Sequence, residues 1–232
     1  MVTELADGLD RRQRRRQQTL EEVLDTATAI MAEQGVAGLS VGEIARRMGM
    51  RPPSLYGYFP SKHALYDALF ARGAGLLLAE MRAPLPAGEP ATLAGVLLAA
   101  ARRFAAWSIA NQAYSQLLFW RPVPGFTPSP EAYRPAVDLF ELNLQWFAEL
   151  QQRGLLRTDA PLDAALRAWT VLIAGVVSQQ LSNAPQEPFE NGRFVAALPD
   201  LVDMFCRYYA AEAVAPRRTN RKGTPWKPAS TR

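Results

Sequence analysis

The chain has 232 residues, 49% hydrophobic and 21% charged, with a net charge of +4. That supports one small domain plus one larger domain with a substantial core. A single cysteine, Cys206, excludes an intrachain disulfide, and a single histidine, His63, leaves no ordinary zinc constellation, so no metal or cofactor is expected.

Charge is unevenly placed. Arg11 to Lys62 holds nine basic and five acidic side chains, His63 to Glu212 eleven and fourteen, and residues 213–232 six basic and none acidic. Basic ends imply a polyanion partner, because neutralising phosphates releases counterions. No apolar run has the uninterrupted length of a spanning helix, and no signal-like apolar run follows the basic N-terminal stretch. A cytoplasmic location with no membrane partner is the expectation.

Residues 1–10 carry no apolar period, and 1–16 are expected to form a disordered basic arm. Its arginines, Arg11, Arg12, Arg14, Arg15 and Arg16, suit either a minor groove or a solvated charge run. From Gln17 to Gln34 the residues Leu20, Val23, Leu24, Ala27, Ile30 and Met31 keep helical spacing, and Gly35 supplies the stop.

The stretch LSVGEIARRMGMRPPSLYGYFPSK, Leu39 to Lys62, reads as helix, tight turn, helix over 40–59. Ser40 with Glu43 has the spacing of a capping box, and Leu39 with Ile44 that of a hydrophobic staple. Val41, Ile44, Ala45 and Met48 share one face, which leaves Arg46 and Arg47 outward. Gly49 ends the first helix, and Pro52 opens a second too short to be a core element. Leu55 and Phe59 point inward, leaving Arg51, Ser54, Tyr56 and Tyr58, whose donors match phosphates and base edges.

These residues resemble the N-terminal signature of the TetR family of one-component transcriptional regulators. Ser40, Ile44, Ala45, Gly49, Met50, Ser54, Leu55, Tyr56, Tyr58, Phe59, Ser61, Lys62 and Leu65 fill its places. Arg51 and the pair Pro52-Pro53 depart from it. The resemblance implies an all-α chain: a DNA-binding domain over 17–82 with a three-helix unit and a connecting helix, then an effector-binding and dimerisation domain over 91–213. Candidate DNA contacts are Ser40, Arg46, Arg47, Arg51, Ser54, Tyr56, Tyr58 and Lys62. The implied partners are a double-stranded DNA operator, a small-molecule effector and a second copy of the chain.

Ser61 is placed to cap a fourth helix running to about Met81, with Leu65, Leu69, Leu76 and Leu77 on its apolar face. Lys62 in its first turn opposes the helix macrodipole, and a phosphate would explain it. His63 beside it reads as a surface residue. The proline-rich run Ala83 to Ala91 marks the domain boundary.

Beyond the boundary, Leu93 to Trp107 and a short segment around Gln116 are helical, and the loop RPVPGFTPSP follows. Glu131 to Arg153 is helical through Val137, Phe140, Leu144, Phe147 and Leu150, with Gly154 as the stop. Leu162, Leu166, Trp169, Ile173, Val176 and Val177 define the next helix. Phe194, Leu198, Leu201, Phe205 and Tyr208 define the last, where Pro199 implies a kink or a fresh start. Apolar faces wider than one core requires make these two helices the expected dimer surface. Residues 214–232 read as a flexible basic tail.

No nucleophile elbow, phosphate loop or paired catalytic carboxylates stand out, so no enzyme is expected. Phe104, Trp107, Trp120, Phe126, Trp146 and Trp169 are candidates for an effector pocket, against the plainer reading of ordinary core. The whole reads as a repressor released from a palindromic operator by a small apolar effector. The alternative is a ligand-independent architectural or nonspecific DNA-binding protein.

Overall fold

The computed structural model describes residues 2–83 and 92–211, and no strand occurs among them. The proline-rich boundary at 84–91 and the expected basic tail lie outside the described residues. Nine α-helices are described: α1 (Val2–Gln34), α2 (Val41–Arg47), α3 (Pro52–Tyr56), α4 (Lys62–Arg82), α5 (Leu93–Ala110), α6 (Gln112–Phe119), α7 (Pro130–Gln152), α8 (Leu162–Asn183) and α9 (Leu198–Tyr209).

α1 overturns one expectation. Residues expected to form a disordered arm are continuous with the helix that starts the small domain. Arginine and glutamine are good helix formers, so a run without apolar period still propagates a helix whose far end is packed. Pairs one turn apart reinforce it: Gln17 Nε2 donates to Glu21 at 2.9 Å and Gln18 Nε2 to Glu22 at 3.0 Å.

The apolar stripe of α1, with Val23, Ala27, Ile30 and Met31 buried, packs against Ile44 and Ala45 of α2, Leu55 of α3 and Leu65 and Leu69 of α4. Burial at about 25 cal/mol per Å² makes this stripe the main attraction within the unit. Glycines end the elements where left-handed backbone is needed: Gly35, Gly49 and Gly154 have φ of 79°, 64° and 69°.

α4 belongs to both domains. Its first half closes the three-helix unit, and it packs along α7 and against α5 and α6. The second domain is completed by α5 against α8 and α9, with Trp169 and Phe205 ring centroids 5.4 Å apart in its core. α5, at 18 residues and a mean hydropathy of 1.4, is long and apolar enough to cross a bilayer, contrary to the expectation from sequence. Half of it is buried in this core.

The last helix is a fresh start, with Pro199 in its first turn behind a short 3-10 turn at Val195–Ala197. Three positions expected on apolar faces are exposed instead: Leu76 on α4, Phe140 on α7 and Tyr208 on α9. Helical spacing gives direction around one axis, and which arc is covered depends on neighbours that the period does not name.

Candidate nucleic-acid interface

The turn between α2 and α3 is built by backbone closure around Gly49. The Met50 amide donates to Ala45 O at 2.8 Å and the Gly49 amide to Arg46 O at 3.2 Å. Arg51 then takes extended backbone as the N-cap of α3, and the Ser54 amide donates to its carbonyl at 2.9 Å. Leu55 is buried, while Arg51, Ser54 and Tyr56 are exposed on the outer side of α3. A guanidinium, a hydroxyl and a phenol thus stand on a helix anchored from beneath by one leucine and Phe59.

Ser40 caps α2 by backbone geometry, but its side chain takes no cap hydrogen bond, so the expected capping box is not formed. The Glu43 carboxylate is engaged by two guanidiniums. Arg46 reaches it at 2.8 and 2.7 Å and Arg47 at 2.8 Å. Arg47 also grips Glu33 of α1 at 2.9 and 2.6 Å, tying the two helices together. These arginines hold the Glu43 carboxyl at about 2, well below the usual carboxylate value, and Arg47 lowers Glu33 as well. Arg46 and Arg47, read from sequence as outward, are therefore both engaged within the protein.

Tyr58 is half-buried beneath the Arg16 guanidinium, whose carbon lies 5.0 Å from the ring centroid. Arg16 Nη2 donates to Gly57 O at 3.3 Å. The last arginine of the N-terminal run is thus fastened to the end of α3. Nothing in the sequence signals this pairing across 41 residues.

Ser61 caps α4, its Oγ accepting from the Ala64 amide at 3.0 Å. Lys62 follows at the first helical position, with Nζ 5.6 Å from the Tyr66 ring centroid. A helix N-terminus with an ammonium beside it favours an anion. His63 is exposed, as expected, and its ring lies 5.9 Å from that of Phe126 in the 120–130 loop.

The two domains are joined through α4. Arg72 pairs with Asp25 of α1. The Ser129 amide donates to Asp67 Oδ1 at 2.9 Å, and Phe126 packs 5.5 Å from Tyr66, whose hydroxyl donates to Val36 O at 2.7 Å.

The six aromatics assigned to a pocket do not line one cavity. Phe104, Trp107 and Trp169 are buried, Trp169 against Phe205. Trp120 and Phe126 border a cleft under the loop, and Trp146 alone faces a cavity of about 330 Å³ between α4, α5 and α7. Met81, Ala100 and Leu142 share that cavity with Arg103, Asn143 and Glu149. Aromatic content marks core and pocket alike, so composition could not separate them.

Among the described residues no group of His, Cys, Asp and Glu is placed to hold a metal.

Comparisons with known proteins agree with this geometry. Residues 23–69 match the model of bacterial regulatory proteins of the tetR family, and 97–202 match the tetracyclin repressor-like C-terminal domain. The chain is similar to the HTH-type transcriptional regulator Rv1816 of Mycobacterium tuberculosis, 27% identical over 116 residues, covering 50% of each. It is similar to the class D tetracycline repressor protein of Escherichia coli, 39% identical over 49 residues, 21% of this chain and 22% of that one. The chain thus spans half the length of Rv1816 and less of the tetracycline repressor. Among solved structures, a protein from Rhodococcus sp. RHA1 superposes with a TM-score of 0.67 at 20% identity, covering 82% of this chain and 95% of that one. The regulator FadR from Bacillus subtilis, in complex with stearoyl-CoA, gives 0.61 at 16% identity over 80% and 97%.

Proposed function

Since the chain belongs to the TetR family of bacterial transcriptional regulators, we propose that it is a homodimeric repressor that reads a palindromic operator with α3 and leaves it when a small, largely apolar effector enters the second domain. Regulators of this family bind DNA operators and small-molecule effectors and act as dimers. The observation that carries the reading is the exposed set Arg51, Ser54 and Tyr56 on α3, with Lys62 at the start of the next helix.

In this reading Arg51 meets a base edge, because the first residues of a reading helix reach the major groove and its fork matches guanine O6 and N7. Ser54 and Tyr56 read beside it. Lys62 and Tyr58 hold phosphate, and Ser40 does the same from the start of α2. Arg46 and Arg47 act mainly through Glu43 and Glu33, fixing α2 against α1.

Dimerisation uses α8 and α9, where Val171, Met204 and Tyr208 are 69%, 62% and 67% exposed. Apolar side chains on two adjacent helices favour a self-complementary partner. A two-fold dimer sets its α3 helices about 34–36 Å apart, one helical turn of DNA.

The effector enters the cavity beside Trp146, which borders the far end of α4. A ligand that fits one setting of α4 better than the other shifts the population and changes the spacing of the reading helices. Selection from randomised DNA with the full chain tests the reading. A symmetric site with half-sites one turn apart supports it. Recovery of no preferred sequence, with a steep salt slope, would instead favour the architectural alternative.

A further inference from the structure

A second concavity lies under the 120–130 loop, apart from the effector cavity. It is a cleft of about 250 Å³ walled by Phe70 of α4, Phe119 and Trp120 at the end of α6, Phe126 of the loop and Tyr133 of α7. Three of the five rings, Phe119, Trp120 and Tyr133, remain 40%, 38% and 49% exposed. Phe70 and Tyr133 stack on each other, 5.7 Å apart with 21° between their planes, and so brace one side of the cleft. Exposed rings gathered around a hollow mark a face that a flat apolar body would cover.

Arg121 is the one charged residue in the lining. It is also the only non-glycine residue with positive φ among the described residues, at 47°. Glycine would take that backbone without cost, and departures of this kind cluster at ligand sites. No carboxylate among the described residues pairs with it. Ring faces alone would favour a cation, but a guanidinium in the same lining with no acid to offset it reverses the preference.

We propose that this cleft is a binding site for a flat aromatic carboxylate of one or two rings, its ring among the exposed rings of Phe119, Trp120 and Tyr133 and its carboxylate on Arg121. The volume limits the ligand, since drug-sized sites run from roughly 300 to 1,000 Å³. Phe126, which forms one wall, packs on Tyr66 and His63 in the first turns of α4, so the bound ring bears on the helix that carries Lys62.

Titration calorimetry of the full chain with 2-naphthoate, 2-naphthamide and cyclohexanecarboxylate tests the site. 2-Naphthoate binds at least tenfold more tightly than the neutral amide or the non-aromatic acid. Arg121→Asn, which tolerates left-handed backbone, abolishes the preference over the amide while the helical circular dichroism is unchanged. Arg102→Asn removes an exposed arginine from α5 and leaves the preference intact. Equal affinity for the amide, a preference that survives Arg121→Asn, or one lost equally in Arg102→Asn overturns the proposal.

Discussion

The Tyr114 hydroxyl on α6 lies 2.9 Å from Thr28 Oγ1 on α1, and the same ring fills the space above Gly73 of α4. One side chain of the second domain therefore touches both helices that pack against α2 and α3. A Cβ on residue 73 would come within 2.6 Å of the Tyr114 ring, so α4 and α6 approach closely only because that residue is glycine.

Gly73→Ala overpacks this contact and destabilises the protein by about 1–3 kcal/mol, read as a lower urea midpoint. Tyr114→Phe keeps the packing and removes one hydrogen bond, costing about 1 kcal/mol. If α6 communicates with α1 through this bond, Tyr114→Phe also reduces the change in operator affinity on adding effector. An undiminished change with a normal effector affinity would place the communication elsewhere.

Lys62→Ala weakens operator and scrambled DNA alike and lowers the salt slope by about one unit per half-site. Arg51→Ala costs about 1–3 kcal/mol on operator and relaxes preference at one base pair of each half-site. Affinities over a salt series check both. Equal losses on both DNAs with selectivity retained would make Arg51 a phosphate contact and move the reading to Ser54 and Tyr56.

Glu43 titrates near 2 in the folded chain, against an ordinary value of 4.5, because Arg46 and Arg47 donate to it. The folded value is depressed, so its stabilising effect is complete above pH 4.5 and fades as pH falls through about 2. Carboxyl carbon NMR should follow Glu43 to that low midpoint, and Arg47→Ala should raise it. A midpoint unmoved by that substitution would leave Arg46 as the whole cause.

Val171→Asp or Met204→Glu places charge on the exposed apolar faces of α8 and α9. Each shifts sedimentation from dimer to monomer and weakens the palindromic site far more than a single half-site. A double variant that remains dimeric would put the interface on another surface.

Local chemistry alone determined much of this protein. Helical periods placed most elements; Gly49, Ser61 and Pro199 marked their ends because left-handed backbone, capping oxygens and first-turn proline are single-residue properties. The exposed set Arg51, Ser54 and Tyr56 was legible for the same reason, since one buried leucine fixes the direction of so short a helix.

Tertiary structure decided what depends on residues distant in sequence. Glu43 had the spacing of a capping partner, yet two guanidiniums hold its carboxylate, one of them anchored by Glu33. Arg16 joined Tyr58, and α1 extended back to Val2 where apolar period gave no reason for a helix. Six aromatics that looked alike in sequence became core, cavity wall and open cleft. A side chain's periodicity names the face it shares, while its burial and partners depend on which helices cross that face, and only the assembled fold determines those crossings.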